Sequence, residues 1–145
     1  MKERVIALGF FDGVHLGHGA LLRRAAEEAA LRGCTPAVFT FDRPPKEVVT
    51  GVPCPLINSP EDRRDLVRRL YGIQDVLMVP FDNEMMTTPW DDFIVRILVG
   101  RYHAVHLVAG HDHHFGHRNQ GTPELLAQKC AQLGLGCDII PKVEV

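Results

Sequence analysis

The sequence predicts an α/β fold, a doubly wound parallel sheet of about five strands with helices on both faces. Three observations carry this expectation. Short apolar runs recur at residues 5–8, 37–41, 75–80, 104–110 and 136–141, with the length and composition of buried strands. Segments with helical spacing and their own start and stop signals separate the runs, and a strand–helix–strand connection reads as parallel pairing. The first run also passes directly into a glycine-rich turn that opens a helix, a geometry suited to holding an anion.

In chain order, residues 5–8 form strand 1, and residues 20–31 follow with alanine, leucine and charged helix formers. Gly33 and Pro36 mark the helix stop before strand 2 at 37–41. A proline-rich stretch from Pro44 through Pro55 reads as a loop leaving the sheet at its carboxyl edge, where ligands of open α/β sheets bind. Ser59 as N-cap, Pro60 at N1 and Glu61-Asp62 start the next helix. Its apolar face is Leu66, Val67 and Leu70, its end is Gly72, and Arg63, Arg64, Arg68 and Arg69 read as an exposed basic face. Strand 3 is followed by a polar loop, 81–87, and by a helix with Thr88 as cap and Pro89 at N1. Trp90, Phe93, Ile94, Ile97 and Leu98 form its buried side, and Phe81 and Phe93 read as core. Strand 4 is expected beside strand 1, across the switch point. Thr122 and Pro123 open the last helix, with Leu125, Leu126 and Leu133 inward and Gly134 as stop.

A chain of 145 residues fits one domain, and 46% hydrophobic with 23% charged residues is ordinary for a globular protein. A net charge of −2 gives no argument for a nucleic-acid or membrane-surface partner. Cys34, Cys54, Cys130 and Cys137 lack the spacing of a metal or redox site and read as reduced thiols. Met1-Lys2-Glu3-Arg4 runs straight into strand 1 without a leader-like segment, so a cytoplasmic location is expected.

Two chemical signals stand out. His15 and His18 are three residues apart at the helix start, with Gly13 and Gly17 leaving the backbone open to a ligand. Each imidazole can donate a hydrogen bond to a polyphosphate. Alone, such a pair reads more readily as two solvent-facing rings; its setting after a strand and among glycines reverses that preference in favour of the anion site. The second signal is the loop after strand 4, with His111, His113, His114 and His117. A zinc site would call for four converging ligands, usually with cysteine, and no cysteine lies near, so no metal site is assigned.

The run Gly9-Phe10-Phe11-Asp12-Gly13-Val14-His15-Leu16-Gly17-His18 resembles the signature of the HxGH nucleotidyltransferases. Within them it is most similar to the FMN adenylyltransferase module of bacterial bifunctional riboflavin kinase/FAD synthetases, which implies a Rossmann-like sheet. Thr40, Phe41, Asp42 and Pro45 match the family's Thr-Phe-Asp-Pro-His-Pro stretch, which borders the flavin; Arg43 and Pro44 differ. Residues 109–116 resemble Val-Gly-Glu-Asp/Asn-Phe-Arg-Phe-Gly. There Gly110, Asp112, Phe115 and Gly116 match, while His113 and His114 replace Phe and Arg.

The resemblance implies transfer of AMP from ATP to FMN, giving FAD and pyrophosphate, with Mg²⁺. His15 and His18 would be catalytic, with Gly9, Phe11, Asp12, Gly13 and Gly17 on the nucleotide. Phe41, Asp42, Pro45, Asp112 and Phe115 would hold the flavin. Small-molecule substrates are the expected partners, and the oligomeric state is unreadable. Family members carry an Ile-Ser-Ser-Thr-x-Ile-Arg-type segment after the fifth strand, whereas this sequence ends at Lys142-Val143-Glu144-Val145. Residues 1–145 are therefore expected to be a single nucleotidyltransferase-like domain, truncated before that segment and lacking a riboflavin kinase domain. Two alternatives stay open: a non-catalytic flavin- or nucleotide-binding relative, and another HxGH nucleotidyltransferase.

Overall fold

Val5, Ile6, Ala7 and Leu8 are all at most 2% exposed, because strand β1 (Arg4–Leu8) lies at the centre of a sheet covered on both faces. The computed structural model describes residues 2–11, 16–43, 45–53 and 59–141. From β1 the chain continues through α1 (Leu16–Arg32), β2 (Thr35–Phe41), α2 (Pro45–Thr50), α3 (Pro60–Tyr71) and β3 (Asp75–Val79). Then come α4 (Asn83–Met86), α5 (Trp90–Asp92), a π-helical segment (Phe93–Val99) that continues α5, and β4 (Ala104–Gly110). A 3₁₀ turn (His117–Asn119), α6 (Pro123–Leu133) and β5 (Gly136–Ile140) complete it. The five strands pair in the order β3-β2-β1-β4-β5, all parallel. This is the doubly wound, Rossmann-like sheet expected, with β4 beside β1.

Alternation along β1 sends its side chains into two cores. Val5 and Ala7 face α1 and α3, packing with Leu22, Ala25, Val67 and Ile73. Ile6 and Leu8 face the other side, packing with Phe39, Phe93, Leu107 and Leu126. Helices α1 and α3 thus share one face, while α2, the π-helix and α6 lie on the other. Strand order reverses between β1 and β4, which opens a crevice at their carboxyl ends.

Strand β2 begins earlier than expected and includes Pro36. The Thr35 N–H bonds Glu3 O on the β1 side, so position 36 points towards β3. That strand joins only at Ala37, so the missing N–H leaves no ladder bond unmade.

Helix ends follow local chemistry where it is simple. Ser59 accepts from the Asp62 N–H and Thr122 from the Leu125 N–H, each with proline inside the first turn. Gly72 and Gly134 end α3 and α6. Pro89, however, is the N-cap of α5, not its first helical residue. Thr88 does not cap that helix; its hydroxyl donates to Glu84 O, closing α4. Two short helices fall where loops were expected. Pro45 begins α2 with its preset φ, and the Asp82 carboxylate caps α4 by accepting from the Met85 N–H.

Inward faces differ from expectation in two helices. In α3 the inward stripe is Arg63, Val67 and Tyr71, while Leu70 is 57% exposed. Arg63, expected on the exposed basic face, is 1% exposed. In α6, Leu126 and Cys130 are buried and Leu133 is exposed. No helix among the described residues is long and apolar enough to cross a membrane.

Two ion-pair groups tie the sheet edges. Asp75 on β3 binds Lys2 and Arg4, at 3.0 and 3.1 Å. Asp138 on β5 accepts from Arg24 Nε on α1 at 2.9 Å and bonds His106 Nε2 on β4 at 2.8 Å. Burial pushes the Asp138 carboxyl up, but the bonds to His106 and Arg24 outweigh it and hold the group below its usual range. Asp75 is held down in the same way by Lys2 and Arg4, again against burial. A depressed folded-state value means the stabilisation is complete above the unfolded value near 3.8 and is lost as pH falls through the folded one. Urea midpoints are therefore expected to drop between about pH 5 and pH 3, and Asp138→Asn is expected to make that drop shallower; an unchanged acid limb would contradict the pairing.

Candidate active site

A cavity of about 780 Å³ opens at the carboxyl edge of the sheet, on the face opposite α1. Its size lies within the ~300–1,000 Å³ common for small-molecule sites. Leu8, Gly9 and Phe10 bring the end of β1 to it, Phe39 and Phe41 the end of β2, and Pro45, Val49 and Thr50 the helix α2. Phe81, Met85, Met86 and Phe93 form another wall, and the loop 113–119 after β4 closes it.

The apolar wall is a connected chain of rings. Phe81 meets Phe41 edge-on at 4.8 Å between centroids, Phe41 meets Phe39 at 5.4 Å, and Phe39 meets Phe93 at 5.3 Å. Phe93 then meets Phe115 at 5.8 Å, and His113 stacks on Phe115 at 5.8 Å and 15°. Such contacts fix ring orientations and give the cavity an aromatic, largely apolar lining. The site is thus a rigid aromatic slot with a polar rim of His114, His117, Arg118 and Asn119. His113 is kept neutral: burial lowers its pKa to about 4, against the opposing pull of Asp112, with His114 adding to the lowering.

The loop 110–121 is pinned at several points. Phe115 and Gly121 exchange backbone hydrogen bonds at 3.2 and 2.8 Å, the His111 N–H donates to Ile140 O, and the His117 N–H donates to Thr88 O. Gly116 sits at φ 79°, and a Cβ there would lie 2.6 Å from Trp90 Cα. No side chain fits. Arg118 and Asn119 are both left-handed, at φ 56° and 54°. Backbone strain of this kind persists only where surrounding contacts over-determine it.

The exit of β1 carries a third strained residue. Phe11 has φ 61° and is 1% exposed, packed with the α1/α3 core. Its ring folds back over Gly9, where a Cβ would meet Phe11 Cζ at 2.7 Å. Beneath this turn lies Arg63. Its Nη1 donates to Phe10 O at 2.9 Å and to Thr40 Oγ1 at 3.2 Å, and its Nη2 donates to Phe41 O at 2.9 Å and Asp42 O at 3.2 Å. Thr40 Oγ1 also donates to Phe10 O at 2.8 Å, and the guanidinium lies 4.2 Å from the Phe10 ring centroid.

Of the residues expected at the site, Gly9, Phe41, Pro45 and Phe115 meet in the cavity wall. The Phe11 ring is in the core, so the residue shapes the turn and does not face the cavity. The Asp42 carboxylate accepts from the Phe81 N–H, turning it into a brace between β2 and the α4 entry. Asp112 is exposed beside Gly110, outside the cavity wall. Asp12, Gly13 and His15 lie outside the described residues; Gly17 and His18 are described only as backbone positions in the first turn of α1. Arg63, expected on an exposed face of α3, was not anticipated at the site. The signal was the four-residue spacing of Arg63, Val67 and Tyr71.

Glu28, His106 and Asp138 bring three potential metal-ligand atoms within 4.8 Å of one another. Arg24 binds both carboxylates and Arg32 binds Glu28, so the cluster's negative charge is already matched by two guanidiniums. It is an ion-pair network joining α1, β4 and β5. The loop histidines have other engagements: His113 stacks on Phe115, and His114 Nδ1 bonds Asp112 O at 2.9 Å.

The sequence model of the FAD synthetase family matches residues 1–145. A bifunctional riboflavin kinase/FMN adenylyltransferase from Listeria monocytogenes is 34% identical over 128 residues, covering 87% of this chain and 40% of the relative. The Escherichia coli K12 protein of the same name is 35% identical over 137 residues, covering 93% and 42%. The chain therefore spans less than half the length of these relatives. A solved Streptococcus pneumoniae structure, described as a macrolide-efflux protein, superposes with a TM-score of 0.83 at 26% identity, covering 99% of this chain and 46% of that one. A parallel sheet reversing at β1/β4, an aromatic cavity at that reversal and a family match over the whole chain agree: this chain belongs to the FAD synthetase family.

Proposed function

We propose that this chain binds ATP and FMN and transfers AMP between them, giving FAD and pyrophosphate. The observation that carries the reading is the aromatic cavity at the carboxyl ends of β1, β2 and β4. Its aromatic, apolar lining suits an isoalloxazine, and it includes Gly9 and Phe10 at the exit of β1. In this reading Phe41, Pro45 and Phe115 bound the flavin, and Gly9 lets the substrate approach the backbone. Asp42 and Asp112 contribute through loop shape.

An FMN phosphate oxygen attacks the α-phosphorus of ATP in line, the bond to the β-phosphate oxygen breaks, and pyrophosphate leaves. No covalent enzyme intermediate is needed, so catalysis rests on positioning and charge stabilisation. His15 and His18, with Gly13 and Gly17 leaving room, supply hydrogen bonds to the phosphates at the N-terminal end of α1. Asp12 orients the same loop. Mg²⁺ would neutralise phosphate charge when bound. The described cavity wall holds no carboxylate for it, so the ion would be carried by the nucleotide's own phosphates.

The test is pyrophosphate release and FAD formation from ATP and FMN by the purified chain. His18→Ala is expected to lower the rate by at least about 100-fold with an unchanged thermal midpoint. Transfer near the wild-type rate would remove the catalytic assignment, and ligand binding without any release would favour a non-catalytic relative.

The neutral His113 gives a second expectation. Flavin affinity should be flat from about pH 8 to 6 and fall as the imidazole protonates towards its value of about 4, because its burial penalises the charged ring against Phe115. His113→Phe is expected to remove that acid decline, as read by flavin fluorescence titration; an unchanged decline would place the titrating group elsewhere.

A further inference from the structure

We infer that Arg63 is a positioning residue for adenylyl transfer: it locks the exits of β1 and β2 together and thereby sets the turn from which the nucleotide loop departs. The inference rests on the function proposed above, but its geometry stands without it. Arg63 is 1% exposed on α3, a helix that already packs through Val67 and Tyr71. Holding α3 against the sheet calls for an apolar side chain there, since burying a guanidinium is unfavourable without full compensation.

What a guanidinium offers is a planar fork of donors. Here the fork reaches across two strands. One arm serves Phe10 O and the Thr40 hydroxyl, and the other serves Phe41 O and Asp42 O. Those carbonyls belong to the last residues before the chain diverges. Beyond Phe10 it enters the left-handed Phe11 and the His15/His18 segment; beyond Asp42 it enters α2, which walls the cavity. The same guanidinium lies over the Phe10 ring, itself part of the cavity wall. One side chain therefore fixes the nucleotide side and the flavin side of the site relative to each other. An error of about 1 Å in such a relation is enough to cost on the order of 100-fold in rate. Arg63 need touch neither substrate.

The experiment uses the whole chain with Arg63→Lys and Arg63→Met. Lysine keeps the charge and some bonds but not the fork; methionine keeps the volume alone. Amide hydrogen exchange of residues 9–11 and 40–42 is read against α6 as an internal control, beside kcat and both KM values for pyrophosphate release. The expected result is α6 protection within about 2-fold of wild type and exchange at 9–11 and 40–42 about 10-fold faster in Arg63→Met. Its kcat is expected to fall about 100-fold while the KM values move less than about 3-fold, with Arg63→Lys between the two. Wild-type exchange at 9–11 in a folded Arg63→Met, or a wild-type kcat, overturns the inference. If the wild-type chain itself releases no pyrophosphate, the proposed function falls, and the exchange comparison still decides whether Arg63 sets the turn.

Discussion

A parallel sheet wound outwards in two directions from its centre has one place where neighbouring strands send their chains to opposite faces. Here that place is between β1 and β4, and most of the functional geometry follows from it. The chain leaving β1 returns over the α1 face, while the chain leaving β4 returns over the α6 face. Neither can cover the gap between them. The gap must be roofed by loops, and the structure uses the segments after β2, β3 and β4 for that purpose. Ring-to-ring contacts from Phe81 to His113 make the walls of the opening continuous.

Strain gathers around the same opening. Of the four non-glycine residues with left-handed backbones among the described residues, Phe11, Arg118 and Asn119 lie here, and the fourth, His103, precedes β4 at the opposite edge of the sheet. Each costs on the order of 1–3 kcal/mol, and such strain is kept only where neighbouring contacts leave no alternative. For Phe11 those contacts are a fully buried ring and the Arg63 fork on the preceding carbonyl. Stripping the guanidinium would leave several buried acceptors short of a donor, each at about 1–3 kcal/mol before relaxation. Turn and clamp therefore support one another.

What could be read from the sequence was what short-range chemistry decides. Ser59 and Thr122 cap their helices because the acceptor and the waiting N–H groups lie three residues apart. The five strands were legible from apolar runs. The β1–β4 adjacency followed from topology rules. Arg63 was not legible in the same way, because its described partners lie 21 to 53 residues away and three of the four are backbone carbonyls with no residue-type signature. Leu70 and Leu133 were misplaced for a related reason: hydrophobicity alone cannot say which of two adjacent helical stripes meets the sheet. Helix α2 was hidden because prolines around it read as loop, although Pro45 is well suited to a first helical position. At the site, Phe41, Pro45 and Phe115 were found through the resemblance and do line the cavity. The bracing of Asp42 by the Phe81 N–H depends on a loop whose path no local rule sets.

The central claim is that a flavin ring occupies the slot bounded by Phe41, Phe93 and Phe115, and a crystal structure of the chain with bound FMN tests it most directly. The account predicts the isoalloxazine within about 4 Å of all three rings, with its phosphate directed towards the start of α1. Electron density for the flavin on another face of the sheet, with the slot empty, would contradict it.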